Sequence, residues 1–158
     1  MAVNPTGQSL PRRPPTWFVH AAWRVHRGLY KISRGRFLWT PRNKRGWGAL
    51  CLTTTGRTTG HDRTVIVGYL EDGANLVLIA MNGWDEGDPS WCLNLKADPR
   101  ARVRLANHEE RAVRARLTDG AERDRLWQLW VDVDASLDAY AAARSTVTPV
   151  ILLEPIGN

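Results

Sequence analysis

The sequence predicts an α+β fold in which about six mainly antiparallel strands close into a small barrel with helices inserted between them. Three observations predict it. Short apolar or alternating segments recur from residue 48 to the C-terminus, and most connections between them are too short for the crossovers of a parallel sheet. The helical patterns are few and sit between strands instead of alternating with them. The 158 residues, 43% of them apolar, can bury one core but not two.

The elements follow in chain order. Residues 1–16 hold Pro5, Pro11, Pro14 and Pro15 with little apolar content, which predicts a mobile arm. Over 17–45 the sequence reads as a basic amphipathic helix and linker. Trp17, Phe18, Ala21, Ala22, Val25 and Leu29 recur at helical spacing, and His20, Arg24, Arg27, Lys31 and Arg34 lie on another face. Such a helix either packs on a core with its cationic face solvated or lies on a membrane surface. The barrel itself is placed at 46–158. Strands are expected at 48–53, 64–70 and 75–80, the last two joined at Asp72-Gly73 by a tight hairpin turn. Asp88-Pro89 reads as a helix start with Asp88 as cap, and Pro99 ends that helix. Residues 102–106 and 111–117 alternate charged and apolar side chains, as half-exposed paired strands do, with arginines on the wet face. Asp119 and Glu122 resemble a capping pair for a helix through Trp130, a break follows at 131–135, and a shorter helix carries Leu137 and Tyr140. An apolar strand at 148–153 closes the chain.

Charge is distributed unevenly. No Asp or Glu precedes Asp62, yet eleven of the 22 Lys and Arg lie in that segment, leaving eleven bases against all 16 acids in the remainder. The net charge of +6 therefore belongs to the N-terminal third, and it favours an anionic partner. No apolar window is long enough to span a bilayer, and no signal-peptide pattern is present, so a cytoplasmic protein is expected, peripheral at the inner membrane face if the basic helix binds lipid. Cys51 and Cys92 show neither metal nor redox spacing, and both are expected to be buried thiols.

The segment LTTTGRTTG at 52–60 packs five threonines, two glycines and Arg57 between two predicted strands. Its glycines free the backbone to aim N–H groups at one spot, its hydroxyls add donors, and Arg57 and Arg63 supply fixed charge, a combination suited to an anion. The same residues also describe a hairpin with solvated arginines. The loop is not a Walker loop, because no Gly-Lys-Thr/Ser follows and the next element is a strand. After the third strand, MNGWDEGDPSW at 81–91 ends at a helix start, where Trp84 and Trp91 could stack on a flat ring or serve as core and rim residues. His20, His26, His61 and His108 are scattered, which predicts no metal site, and no serine or cysteine has an activating neighbour. An enzyme of this composition would rely on a cofactor for its reactive atom.

Taken together, LTTTGRTTG with Arg63, LEDG at 70–73, PSWCLNLKADP at 89–99, ERDRLW at 122–127 and PVILLEP at 149–155 resemble the deazaflavin-dependent nitroreductase family over residues 46–155. The resemblance implies a split β-barrel that binds coenzyme F420 and passes hydride to a hydrophobic, quinone-like or nitroaromatic acceptor. It places Thr55, Gly56, Arg57, Thr58, Thr59 and Arg63 around the cofactor's phosphate and acidic tail. It also places Ala80, Met81, Asn82 and Gly83 along the ring, and Trp91 nearby. Asp134 and Tyr140 would stand on the acceptor side as the catalytic candidates. Where the family commonly has lysine, this chain has Thr58 and Asn82, and Asp134, Leu137 and Cys92 replace tyrosines of nitro-reducing members. Related split barrels use flavin mononucleotide, which is the alternative cofactor. A non-catalytic barrel holding a lipid or another flavin at the membrane surface is the alternative function. No nucleic acid is expected as a partner, and a homodimer is left open.

Overall fold

The computed structural model describes residues 38–81 and 86–157. The predicted arm and basic helix lie outside the described residues, as do Asn82, Gly83, Trp84 and Asp85. Six antiparallel strands close into a barrel in the order β1-β2-β3-β6-β5-β4. They are β1 (Gly48–Thr55), β2 (Asp62–Asp72), β3 (Asn75–Ile79), β4 (Arg100–Arg104), β5 (Glu110–Leu117) and β6 (Val150–Pro155). Between them lie α1 (Ser90–Ala97), α2 (Gly120–Val133) and α3 (Leu137–Ala142).

Alternation along the strands fills the interior. Leu50 and Leu52 of β1 oppose Val67 and Val65 of β2, and Leu52 opposes Val103 of β4 across the closing seam. Leu78, Ile151, Leu153, Val113 and Ala115 complete the ring. Trp91, Cys92 and Leu95 of α1 join the same cluster, so this helix plugs the end of the barrel where β1 passes into β2. The opposite side of the β2-β3-β6 wall is also apolar. Leu70, Val77, Val150 and Leu152 are covered by Leu126 and Trp130 of α2 and Leu137 of α3. One close approach fixes a glycine. A Cβ on Gly48 would stand 2.4 Å from the Tyr69 ring opposite it, so the buried tyrosine occupies the space a side chain would need.

Several expected boundaries shift, each for a visible reason. The ladder between β1 and β2 continues to Thr55 and Asp62, two residues past the apolar part, because Thr54 pairs with Arg63 and keeps its hydroxyl inside. The β4 strand starts at Arg100 and stops before Leu105, where the Leu105 amide donates to the Glu109 carbonyl and His108 turns the chain with φ 65°. The α1 cap is Pro89 in place of Asp88, whose carboxylate accepts from Lys96 at 2.7 Å. Asp119 does cap α2, but without a side-chain bond, and Glu122 pairs with Arg116 instead of closing a capping box. The break expected at 131–135 is shorter. The α2 helix continues to Val133, since Val131 and Val133 both pack into the outer cluster. The arginines alternate outward as expected at Arg102, Arg114 and Arg116, while Arg104 is half-buried.

Candidate active site

The threonine loop and the start of α1 meet at one end of the barrel. Thr54, 1% exposed, is the last inward residue of β1. Its Oγ1 accepts from Asn94 Nδ2 at 3.1 Å and donates to the Arg63 carbonyl at 3.4 Å. Asn94 Oδ1 in turn accepts from the Arg57 amide and from Arg57 Nη1, each at 3.2 Å. Arg57 Nη1 also donates to the Ser90 carbonyl at 3.5 Å. One buried amide thus ties the loop to the helix. Sequence reasoning missed Asn94; the available signal was a carboxamide three residues after Trp91 on the apolar face of a short helix.

The loop backbone closes on itself. Gly56 N–H donates to the His61 carbonyl at 2.8 Å, and Thr59 and Gly60 N–H both donate to the Gly56 carbonyl, at 3.2 and 2.7 Å. Gly60 supports this turn with φ 69°, which few other residues adopt cheaply. An open nest of amides, expected from the glycines, is therefore not what forms. Of the turn's N–H groups only that of Thr58 lacks a protein partner among the described residues. The donors that remain outward are side chains: the exposed hydroxyls of Thr58 and Thr59 and the guanidinium of Arg63, whose Nη2 donates to Thr59 Oγ1 at 3.3 Å.

Ion pairs occupy many arginines of the barrel surface. Arg100, Arg102, Arg111, Arg116 and Arg125 each pair with a carboxylate. Among the described residues Arg57 and Arg63 bond only to neutral oxygens, and no carboxylate of those residues pairs with either. Two such cations beside several hydroxyls fit a phosphate or carboxylate, since charge-assisted bonds are about twice as strong as neutral ones.

Across the barrel mouth, Ala80 is fully buried just past β3 and Met81 packs outward into the α2-α3 cluster. Trp91 is 9% exposed and belongs to the inner core, so most of its ring serves packing. Cys92 is fully buried, and desolvation, helped by the Asp88 carboxylate, pushes its thiol up to about 11, which makes it a packing group. Tyr140 lies half-buried on α3, the helix whose Leu137 shares a cluster with Met81. Asp134 is exposed at the end of α2, where its Oδ1 accepts from the Ser136 amide and hydroxyl. Among the described residues no group of His, Cys, Asp or Glu is placed to hold a metal ion.

A closed six-stranded antiparallel barrel with a hydroxyl-rich, basic loop at its mouth places the chain in the class of split β-barrels. A model of the F420H(2)-dependent quinone reductase family matches residues 23–155. A protein of Mycobacterium tuberculosis named F420H(2)-dependent quinone reductase is 31% identical over 136 residues, which cover 82% of this chain and 87% of that one. A solved F420-H2 dependent reductase, FDR-A, superposes with a TM-score of 0.61 at 29% identity, covering 67% of this chain and 93% of that chain. HutZ, a heme storage protein of Vibrio cholerae, shares the fold alone, with a TM-score of 0.54 at 10% identity over 81% of this chain and 89% of its own. The chain belongs to the F420H(2)-dependent quinone reductase family: it is an oxidoreductase whose cofactor is coenzyme F420.

Proposed function

We propose that this enzyme passes hydride from reduced F420 to a hydrophobic, quinone-like acceptor. The observation that carries the reading is the pair Arg57 and Arg63, held at the barrel mouth without carboxylate partners among the described residues. In this reading they bind the phosphate and acidic tail, with Thr58 and Thr59 supplying hydroxyls and Thr58 its amide, while Thr55 and Gly56 shape the loop. Ala80, Met81, Asn82 and Gly83 border the ring, and Trp91 supports it from the core side. The acceptor class follows the name of the Mycobacterium tuberculosis relative and the apolar walls here.

When bound, the deazaflavin supplies the hydride; the protein supplies alignment and dryness. The α1 plug keeps water out of the barrel beneath the site, because Trp91, Cys92 and Leu95 fill it. Tyr140 stands on the acceptor side as the hydroxyl able to donate a proton, with Asp134 as the second candidate. Asp134 is exposed at the end of α2.

Fluorescence titration of the full chain with F420 tests the proposal. Arg63→Ala should raise Kd about tenfold, roughly 1.4 kcal/mol, whereas Arg114→Ala on the outer face of β5 should not. Equal effects of the two substitutions would show that the cradle is misplaced. The basic segment 17–34 is proposed to meet anionic lipid, where an apolar acceptor would be dissolved; the support is the absence of any acid before Asp62.

A further inference from the structure

Arg144, just past α3, is a buried cation that the anion cradle does not use. Its side chain is 5% exposed and lies 3.6 Å from the Asp88 carboxylate. Nη1 donates to the Ala80 carbonyl at 3.3 Å and Nη2 to the Gly87 carbonyl at 2.9 Å. One guanidinium therefore joins the end of β3 to the residues that lead into α1. The next residue repeats the connection, because the Ser145 amide and Oγ both donate to the Glu86 carboxylate.

This arrangement is costly for mere packing. The Nε of Arg144 is buried without a partner among the described residues, and a buried cation pays a desolvation penalty that an apolar side chain of similar length would avoid. What the guanidinium provides and an apolar group cannot is a rigid fork that fixes two carbonyls relative to each other.

We propose that Arg144 is a positioning residue of the cofactor site. It sets the spacing and orientation of the two flanks, Ala80 on one side and the Gly87-Asp88 entry to α1 on the other, between which the deazaflavin ring is held. It touches neither cofactor nor acceptor. The inference rests on the reading that Ala80 and Trp91 border the ring, and small displacements of such walls cost rate by spoiling the approach of the reacting atoms.

Two measurements on the full chain test it. Backbone hydrogen exchange without cofactor reads the clasp itself: Arg144→Met should speed exchange at Leu93 and Cys92, the first bonded amides of α1, at least tenfold, and Arg144→Lys should recover part of that. F420 titration reads the consequence: Arg144→Met should raise Kd at least tenfold while Arg123→Met, whose guanidinium binds the Thr148 carbonyl, should leave it unchanged. Unaltered exchange, or faster exchange with unaltered Kd, overturns the proposal and leaves the cofactor reading standing. Should wild-type protein fail to bind F420, the cofactor reading fails and this proposal with it, even if the exchange arm shows the clasp to be real. If Arg144→Met does not fold, Ser145→Ala, which removes only the hydroxyl given to Glu86, carries both measurements at smaller amplitude.

Discussion

Asn94 shows how one side chain links fold to function. It is 4% exposed, and both ends of its carboxamide are engaged: the oxygen takes two N–H groups of Arg57, and the nitrogen gives to Thr54. Because the partner of Arg57 is neutral, the arginine is held in place without losing its charge. Asn94→Asp keeps the shape, replaces the donor to Thr54 by an oxygen that can accept from that hydroxyl, and sets a carboxylate against the guanidinium, where it would compete with the cofactor's anionic groups. F420 affinity should fall at least tenfold in Asn94→Asp while the protein stays folded, by titration and circular dichroism. Asn94→Leu should instead destabilise the fold by about 2 kcal/mol, since it removes the acceptor of the part-buried Arg57 amide and the donor to the buried Thr54 oxygen. Asn94→Asp with wild-type affinity would mean that Arg57 only staples α1. The sequence made Arg57 and Arg63 legible because they sit in a dense, unusual motif. Asn94 and Arg144 were not legible, because their partners lie 37 to 64 residues away and no local pattern announces them.

At the scale of elements, α2 is fixed to the barrel by its apolar stripe and by one ion pair at the hairpin below it. Arg125 donates from both terminal nitrogens to Asp72, at 2.9 and 2.8 Å, at the end of β2. The guanidinium bonds hold the Asp72 carboxyl below its ordinary range, outweighing partial burial. A depressed carboxyl contributes stability above its unfolded pKa and loses it as pH falls through the lower folded value. Arg125→Met should therefore cost about 0.5 to 1 kcal/mol near neutral pH, the range of a partly exposed pair. That difference from wild type should shrink below about pH 4, as followed by urea unfolding across pH. A deficit that persists at pH 2 would assign the loss to packing of the arginine stem. The strands and the Asp72-Gly73 hairpin were readable because period-two alternation and turn chemistry are local. Helix ends were less so: Val131 and Val133 look like a break in isolation, and only the outer wall of the barrel tells them to remain helical.

Over the whole molecule, cationic charge and apolar wall are distributed so that two kinds of anion could be met at once. Arg57 and Arg63 lie at the barrel mouth, where the cofactor's anionic groups are proposed to bind, while the bases before residue 46 belong to a segment without a single acid. No helix among the described residues is long and apolar enough to cross a membrane, and the association proposed above is a surface contact of the basic segment. Near an anionic leaflet each Lys or Arg is worth about 1 kcal/mol, an interaction screened within a Debye length of about 10 Å at 0.1 M salt. The full chain should co-sediment with vesicles containing anionic phospholipid at low salt and be released as salt rises. Reversing three charges together, Arg24→Glu, Arg27→Glu and Lys31→Glu, should lower that partition by at least two orders of magnitude while leaving F420 affinity unchanged. Loss of both properties in the triple variant would place the segment against the cradle. Retention of vesicle binding would make its apolar face, and not its charge, the anchor, because only the electrostatic contribution reverses sign with those residues.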